Sequence, residues 1–171
     1  NASMYDGGTS LFEAMMVACR VTKKKRAVVS GALSPIYRKM LYTYSQNLGI
    51  EIVEIKESGV ESNISALENA INDKTACVII QYPNFFGTVE DFTKLTEYAH
   101  KNGAIAICSV YLTSLAILNT PGEMGFDVVT AEGQSLGIPL SFGGPYLGVM
   151  VANDKCMRKM PGRICGQTVD K

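Results

Sequence analysis

Three glycine-containing segments of this sequence have residue types and spacing that suit a ligand site. They lie at 6–10, 81–87 and 132–145. Each adjoins a predicted strand or helix, and in open α/β sheets ligands bind beyond the carboxyl ends of the strands. Whether the three segments form one ligand site depends on the strands and helices that position them at the carboxyl ends of the strands.

The first segment, Asp-Gly-Gly-Thr-Ser at 6–10, precedes apolar residues at helical spacing. This pattern predicts a helix that begins near Thr9, with Thr9 or Ser10 as its cap and Glu13 completing a capping box. Glycines let an anion approach the backbone, and free N–H groups at a helix start favour a phosphate. Gly8, Thr9 and Ser10 are therefore candidate phosphate-binding residues, although a plain capped helix after a flexible turn has the same pattern.

The other two segments are also open to two interpretations. Residues 81–87 follow an apolar run, and Asn84 with its aromatic neighbours can either line a site or pack under the next helix. Residues 132–145 are so rich in glycine and proline that they require a specific backbone path. That path suits either a site or a tight connection between antiparallel strands.

Catalytic side chains are scarce in this sequence. No lysine or arginine occurs from Asn102 to Asp154, so a Schiff-base lysine must come from elsewhere, and the other lysines occupy charged contexts typical of solvent-facing positions. His100, the single histidine, is placed to interact with a helix C-terminus. We predict no catalytic residue of the chain's own and no metal site, because the five cysteines lack metal-ligand spacing.

Composition narrows the function classes further. Sixteen basic residues balance sixteen acidic ones, which argues against nucleic acid or an anionic membrane as a partner. The one basic cluster, 23–26, suits a helix C-terminus. An odd number of cysteines, with Cys77 and Cys108 in apolar runs, predicts a reducing cytoplasm. No run reaches the roughly 20 apolar residues of a membrane helix, and the start does not resemble a signal peptide.

Short apolar strands alternate with helices along the chain. Strands are predicted at 27–30, 50–55, 76–80, 104–108, 127–131 and 147–151. Helices are predicted from Thr9, from Ser34 through Tyr44, at 64–71 and at 87–101, with a further helix or a tail from Met157. Unalternating apolar strands indicate a sheet covered on both faces, and the short last link predicts one antiparallel pair. The fold class is therefore three-layer α/β, mainly parallel with one antiparallel strand.

Four segments carry a resemblance to a known family. They are NASMYDGGT at 1–9, TPGEMGFDVV at 120–129, GQSLGIPLSFGGP at 133–145 and MPGRICGQTVD at 160–170. Over essentially its whole length the chain resembles the first halves of the pyridoxal-phosphate-dependent glycine decarboxylases, the P-proteins of the glycine cleavage system.

The resemblance implies a fold-type-I pyridoxal-phosphate large domain over 1–155, with 156–171 starting the connection to a further C-terminal domain that this chain lacks. It implies that pyridoxal phosphate is held on a lysine of the second-half (beta) subunit, because the equivalent turn here has Gln134 and Ser135. First halves often carry Asp-Pro after the fourth strand, whereas this chain has Ser109-Val110, so an aspartate partner for the pyridine nitrogen cannot be carried over.

The function implied is that of a noncatalytic-half subunit of an oxidoreductase in the cytoplasm. The assembled enzyme would decarboxylate glycine and pass the aminomethyl group to the lipoyl arm of the carrier H-protein, while this chain alone stays inactive. Gly8, Thr9 and Ser10 become candidate cofactor contacts. An apolar surface for the partner or the absent domain is expected at five aromatic residues: Tyr82, Phe85, Phe86, Tyr111 and Phe142.

Two other functions stay open on the sequence. The chain can be the large domain of a complete pyridoxal-phosphate lyase or aminotransferase that uses a lysine interpreted here as exposed. It can also be a non-enzymatic α/β binding module, although such a module needs a recognisable phosphate loop. The fold supports all three functions equally, and only the motifs separate them.

Overall fold

The computed structural model describes residues 3–57, 59–166 and 168–169, and elements are given for these ranges. The strands are β1 (Arg26–Ser30), β2 (Glu51–Ile55), β3 (Cys77–Tyr82), β4 (Ile105–Tyr111), β5 (Val128–Glu132) and β6 (Gly148–Ala152). The α-helices are α1 (Gly7–Thr22), α2 (Pro35–Ser45), α3 (Ile64–Ala70), α4 (Thr93–Lys101) and α5 (Asp154–Met157). Short 3₁₀ helices span Leu112–Ala116 and Gln134–Leu136. The outermost residues of the motifs predicted at 1–9 and 160–170 lie outside the described residues.

The strands form one mixed sheet in the order β2-β1-β3-β4-β5-β6. Neighbouring strands from β2 to β5 are parallel, and β6 pairs with β5 in the antiparallel direction. The predicted fold class and the predicted antiparallel pair are both confirmed. Parallel order brings the carboxyl ends of β1 to β5 to one edge of the sheet, which we call the carboxyl edge.

Helices cover both faces of the sheet. On one face Leu11 and Met15 of α1 pack with strand residues such as Ile107, and Leu41 of α2 belongs to the same cluster. On the other face Leu67 of α3 and Leu95 of α4 pack against the alternate strand positions. Burial of each such side chain contributes about 1.5–3 kcal/mol. Cys77 and Cys108 are fully buried in these two cores, as predicted.

Helix α1 begins earlier than predicted and has a different cap. Its first residue is Gly7, and Asp6 is the N-cap, with the Asp6 carboxylate accepting from the backbone N–H of Thr9. Thr9 and Ser10 therefore lie inside the helix, and the prediction that one of them caps it is wrong. Glu13 does not close a capping box, because with Asp6 as the N-cap the third helical residue is Thr9. The Glu13 carboxylate instead lies 3.7 Å from the Arg20 guanidinium.

Helix α4 begins later than predicted, at Thr93 rather than near Gly87. The side-chain oxygen of Asn84 accepts hydrogen bonds from the N–H groups of Phe86 and Thr88, which closes a turn instead of starting a helix. Of the two alternatives predicted from Met157, the helix is wrong, because the short helix α5 ends at that residue. The described residues after it form no further helix or strand, which agrees with the tail.

The basic cluster holds the ends of three helices at the edge opposite the carboxyl edge. Lys24 Nζ lies 3.1 Å from the carbonyl oxygens of both Asn102 and Gly103, just after α4. Lys25 donates to the carbonyl oxygen of Leu48 after α2, and Arg26 donates to that of Ala70 at the end of α3. These contacts place cations where the negative ends of helix dipoles lie, so the cluster stabilises the fold.

Candidate functional site

The carboxyl edge of the sheet brings the three candidate segments together. The backbone N–H of Gly7, at the start of α1, lies 3.0 Å from the Glu132 carboxylate at the end of β5. Residues 81–87 follow β3 at the same edge, and the N–H of Phe85 donates to the carbonyl oxygen of Ala32 after β1. The segments that the sequence marked as site candidates therefore share one edge, where ligands bind in sheets of this kind.

A cavity of ≈ 330 Å³ opens at this edge. It is lined by Ser34, Ile36, Tyr37, Gln81, Phe85, Ser109, Val110, Tyr111 and Glu132. None of these residues is a lysine, arginine or histidine, so the cavity has aromatic and neutral polar walls and one carboxylate.

Glu132 is the best-connected polar residue of the cavity wall. One carboxylate oxygen accepts from Gly7 N, and the other accepts from Gln134 N at 3.0 Å and Leu147 N at 2.8 Å. Because these donors belong to α1, the 134–136 turn and the approach to β6, one carboxylate fixes three segments. Sequence analysis included Glu132 as the first residue of the candidate segment 132–145, but no local pattern distinguished it from the glycine-rich residues that follow.

The predicted cofactor contacts Gly8, Thr9 and Ser10 lie in the first turn of α1. Thr9 uses both its N–H and its hydroxyl to bind the Asp6 carboxylate, at 2.6 and 2.9 Å. The backbone N–H of Ser10 donates to the Asp6 carbonyl oxygen, and the buried Ser10 hydroxyl has no partner among the described residues. The N–H groups of Gly7 and Thr9 are thus already bonded, and cofactor binding by these residues stays a prediction.

Tyr37 of α2 also lines the cavity, beside the start of α1. No sequence pattern predicted this role for Tyr37. A Cβ atom at Gly7 would lie 2.6 Å from the Tyr37 hydroxyl, so the first turn of α1 packs closely on this ring. Burial raises the pKa of the Tyr37 phenol, and the nearby carboxylates of Glu132 and Asp6 add to the increase. Tyr37 therefore faces the cavity as a neutral hydroxyl.

The wall formed by β3 and β4 is neutral. Ser109 is only 3 % exposed and lies on β4, the strand after which the resembled family often carries an aspartate. The Gln81 side-chain oxygen accepts from the backbone N–H of Ser34 at 2.9 Å, which ties β3 to the start of α2. Neither residue supplies a charge to a ligand.

The residues at this edge do not fit pyridoxal phosphate. No lysine lines the cavity to hold the aldehyde carbon, and Ser109 supplies no carboxylate for the pyridine nitrogen. A phosphate at the start of α1 would meet the carboxylates of Asp6 and Glu132, which repel it and already bind two of the N–H groups there. The described residues that line this cavity therefore do not include a lysine or a second carboxylate of the kind that a cofactor site of this type needs.

Apolar residues are exposed at the carboxyl edge, in the cavity wall and in the loops that follow β3 and β5. Four of the five aromatic residues predicted to be exposed are so: Phe85, Phe86, Tyr111 and Phe142. Tyr82 is the exception, since it is 3 % exposed and packs edge-on against Phe92. The side chains of Ile36, Leu136, Leu140 and Tyr146 add to the exposed apolar set. We call this set, without Tyr82, the apolar rim.

A larger cavity of ≈ 610 Å³ lies beside residues 59–65. Glu90 lines it and accepts from the N–H and hydroxyl of Ser62 and from the side chain of Asn84. These bonds hold a surface loop, and among the described residues none from the three candidate segments lines this cavity. Gln81, Phe85 and Glu132 of those segments line the smaller cavity, so we place the functional site there.

His100 lies at the opposite edge, as expected for a structural histidine. Its Nε2 atom is 2.8 Å from the Asp127 carboxylate, which also accepts from the backbone N–H of Ala106 and the side chain of Asn153. The network joins α4, β4 and the segment after β6. Within the described ranges, no group of three His, Cys, Asp or Glu side chains is placed to hold a metal ion. No helix in the described part of the chain is long and apolar enough to span a membrane.

The fold and the carboxyl-edge cavity define the class first. A mainly parallel sheet with one antiparallel edge strand, covered by helices and flanked by the start of α1, is the large domain of fold-type-I pyridoxal-phosphate enzymes. Within that class the chain belongs to the glycine cleavage system P-protein family, whose model matches residues 1–171.

Individual relatives agree with this family. The chain is 52% identical over 170 residues to the probable glycine dehydrogenase (decarboxylating) subunit 1 of Oleidesulfovibrio alaskensis, covering 99% of this chain and 38% of the relative. It is also 52% identical to the protein of the same name from Geotalea uraniireducens, covering 100% of this chain and 39% of the relative. The chain thus spans well under half the length of the curated relatives it matches.

Solved structures agree with the fold. A crystal structure of glycine decarboxylase (P-protein) of the glycine cleavage system, in inhibitor-bound form, matches with a TM-score of 0.89 and 34% identity, covering 98% of this chain and 38% of that one. A cysteine desulfurase from Escherichia coli matches with a TM-score of 0.72 at 13% identity, covering 98% of this chain and 43% of that one. The second likeness shows the fold alone.

Proposed function

We propose that this chain is the large domain of the noncatalytic first-half subunit of glycine decarboxylase. In this proposal the second-half subunit holds pyridoxal phosphate on its own lysine. Residues 1–155 form the domain, and 156–171 begin its connection to a further domain. The observation that carries the proposal is the carboxyl-edge cavity, whose wall includes one carboxylate and no cationic side chain.

The position of the lysines supports this division of labour. Lys56 follows the edge strand β2 and Lys94 lies in the first turn of α4, and both side chains are exposed. The cavity lies at the ends of β3, β4 and β5, and neither lysine lines it. At the turn after β5, where the resemblance places the cofactor lysine of second halves, this chain has Gln134 and Ser135.

The apolar rim supports a partner subunit at the same edge. Tyr111 is 57 % exposed at the end of β4, and Phe85 is 52 % exposed after β3. Exposed apolar groups around one cavity mark an interface more often than a free surface. A second-half subunit seated there removes this apolar area from water and closes the cavity.

For the assembled enzyme we propose the activity after which its relatives are named, glycine dehydrogenase (decarboxylating). The two halves together decarboxylate glycine and deliver the aminomethyl group to the lipoyl arm of the H-protein, as an oxidoreductase of the cytoplasm. Bound pyridoxal phosphate supplies the electron sink for such a decarboxylation. This chain contributes a cavity wall and an interface.

Borohydride trapping tests where the cofactor is held. The complete first-half protein is purified alone and with its second-half subunit, incubated with pyridoxal phosphate, reduced with borohydride and mapped by peptide mass spectrometry. We expect a pyridoxyl-lysine on the second-half subunit and none on this chain, together with glycine decarboxylation by the pair only. A stoichiometric adduct on this chain, lost in one lysine variant, would favour a complete pyridoxal-phosphate lyase or aminotransferase instead.

Matched lysine variants separate a specific adduct from random surface labelling. Lys56→Arg and Lys94→Arg remove the two lysines discussed above, and Lys74→Arg removes an exposed lysine of the opposite edge. If the three lysines are labelled equally and only in trace amounts, with or without the partner, the labelling is nonspecific reaction of exposed lysines. That result agrees with the proposal.

A further inference from the structure

We infer that Glu132 is a built-in anion that occupies the phosphate position at the start of α1 and keeps this chain from binding phosphate there. The participating groups all belong to this chain, so the inference stands whether or not the proposed partner subunit is correct.

The first argument is the convergence of donors. Three backbone N–H groups from separate parts of the chain point at one carboxylate, those of Gly7, Gln134 and Leu147 at 2.8–3.0 Å. Backbone N–H groups at a helix start are the donors that bind phosphate in proteins. Here the carboxylate of Glu132 accepts one donor of this kind at the start of α1, the Gly7 N–H, together with the N–H groups of Gln134 and Leu147 from the link between β5 and β6. Charge-assisted bonds of this kind are among the stronger ones.

The second argument is the lack of room and of positive charge. The first turn of α1 packs so closely that a Cβ at Gly7 would lie 2.6 Å from the Tyr37 hydroxyl and 2.9 Å from the backbone nitrogen of Glu132. The Asp6 carboxylate binds the N–H of Thr9 on the adjoining side. No cationic side chain lines the cavity, so a phosphate there has nothing to offset the two carboxylates.

The third argument is that the internal anion also has a structural role. Glu132 joins the start of α1, the 134–136 turn and the approach to β6, three segments that an outside phosphate could otherwise join. Unpaired N–H groups at a helix start are costly when they are withdrawn from water, so the Glu132 carboxylate stabilises this edge.

Amide chemical shifts test the inference with inorganic phosphate as the probe. Spectra of the isotope-labelled complete protein are recorded during a phosphate titration, for the wild type and for Glu132→Ala. We expect no saturable shift at the amides of Gly7, Gly8 and Thr9 in the wild type. In Glu132→Ala the freed amides of Gly7, Gln134 and Leu147 should shift and saturate together.

Glu90→Ala is the matched control. Glu90 also accepts several hydrogen bonds from a loop at the carboxyl edge, but it lies away from the start of α1. This variant should show no gain of phosphate shifts, which separates loss of the internal anion from general loosening of the edge.

Two results overturn the inference. One is a saturable phosphate shift at the first-turn amides of the wild type. The other is a folded Glu132→Ala protein that gains no phosphate binding. If that variant does not fold, Glu132→Gln decides, because it nearly keeps the shape of the side chain and removes its negative charge. A saturable phosphate shift of the Gly7 amide is expected in Glu132→Gln, and its absence in the folded protein would overturn the inference as well.

Discussion

Asp6 binds Thr9 through two hydrogen bonds at the start of α1. One Asp6 oxygen accepts from the Thr9 N–H at 2.6 Å and from the Thr9 hydroxyl at 2.9 Å. A related pair precedes α4, where Asp91, one residue before the N-cap Phe92, accepts from the N–H and hydroxyl of Thr93 at 2.9 and 2.6 Å. In both places an aspartate outside the helix binds a threonine near the helix start, but only Asp6 is an N-cap.

Replacing Asp6 should therefore cost more stability than replacing Thr9. Asp6→Ala removes the acceptor of the cap and should lower the free energy of unfolding by about 1 kcal/mol. Thr9→Val keeps the backbone donor and loses only the hydroxyl, so its effect should be clearly smaller. Urea unfolding of the two variants measures the difference, and an equal or larger loss in Thr9→Val would show that the cap is assigned wrongly.

Most of the fold could be predicted from sequence, because each strand is a short apolar run that can be recognised locally. Five of the six predicted strands lie within two residues of the observed ones at both ends, and the fourth ends three residues later than predicted, at Tyr111. Short apolar runs between turn residues suit a covered sheet, which is why they could be located. The starts of α1 and α4 could not be placed, because they depend on side chains bonding to backbone. Asp6 precedes two glycines that suggest a loop, and Asn84 closes a turn where apolar spacing suggested a helix.

The sequence predicted which segments form the site, but not the contacts between them. Glycine-rich runs beside predicted strands indicated the carboxyl edge, and all three runs reach it. The contacts that decide the chemistry are long-range, such as Glu132 with Gly7, which are 125 residues apart in sequence. The packing of Tyr37 on Gly7 has no local signal either, because the residues belong to different helices.

The hydrogen bonds between Asp91 and Thr93 make a pH-dependent contribution to stability. The hydrogen bond from the Thr93 hydroxyl, followed by that from the Thr93 N–H, lowers the pKa of the Asp91 carboxyl. A pKa lowered by folding stabilises the protein above the ordinary aspartate pKa, and this stabilisation is lost as the pH falls through the folded value. In Thr93→Val the Asp91 pKa should rise towards its ordinary value, as measured by NMR titration of the carboxyl carbon.

Thr43→Val is the control for that titration. The Thr43 hydroxyl donates to the carbonyl oxygen of Lys39 within α2, which is not the helix that Asp91 precedes. Loss of this hydroxyl should therefore leave the Asp91 pKa unchanged. An Asp91 pKa that is the same in wild type and Thr93→Val would exclude the hydroxyl as the main cause.

Lys24 should stabilise the end of α4 through its ammonium group. Its Nζ donates to the carbonyl oxygens of Asn102 and Gly103, where the negative end of the helix dipole lies. Lys24→Met should lower the free energy of unfolding by about 0.3–1 kcal/mol, and less at high salt, because salt screens the charge. Lys23→Met is the matched control, since the Lys23 side chain has no hydrogen bond or ion pair among the described residues. Equal losses in both variants would assign the effect to net charge instead.

Gly148 should be intolerant of any side chain, because it lies where β6 meets the segment before α1. A Cβ there would collide with the Ser10 hydroxyl and would lie 2.5 Å from both the Asp6 carbonyl oxygen and the Met4 Cβ. The backbone offers little relief, because the Gly148 N–H donates to the Met4 carbonyl oxygen at 3.0 Å. Gly148→Ala should therefore cost about 1–3 kcal/mol of stability by overpacking.

The same substitution should also disturb the Asp6 cap, since residues 4–6 must move to admit the methyl group. We expect the amide resonance of Thr9 to shift in Gly148→Ala and the urea midpoint to fall. Gly122→Ala is the control, because the nearest atom to a Cβ there is the Thr120 hydroxyl at 3.9 Å and its backbone is outside the left-handed region. If Gly148→Ala were as stable as Gly122→Ala and left the Thr9 amide in place, the close packing of β6 on the start of α1 would be disproved. The cap and the cavity wall beside it would then not depend on this contact.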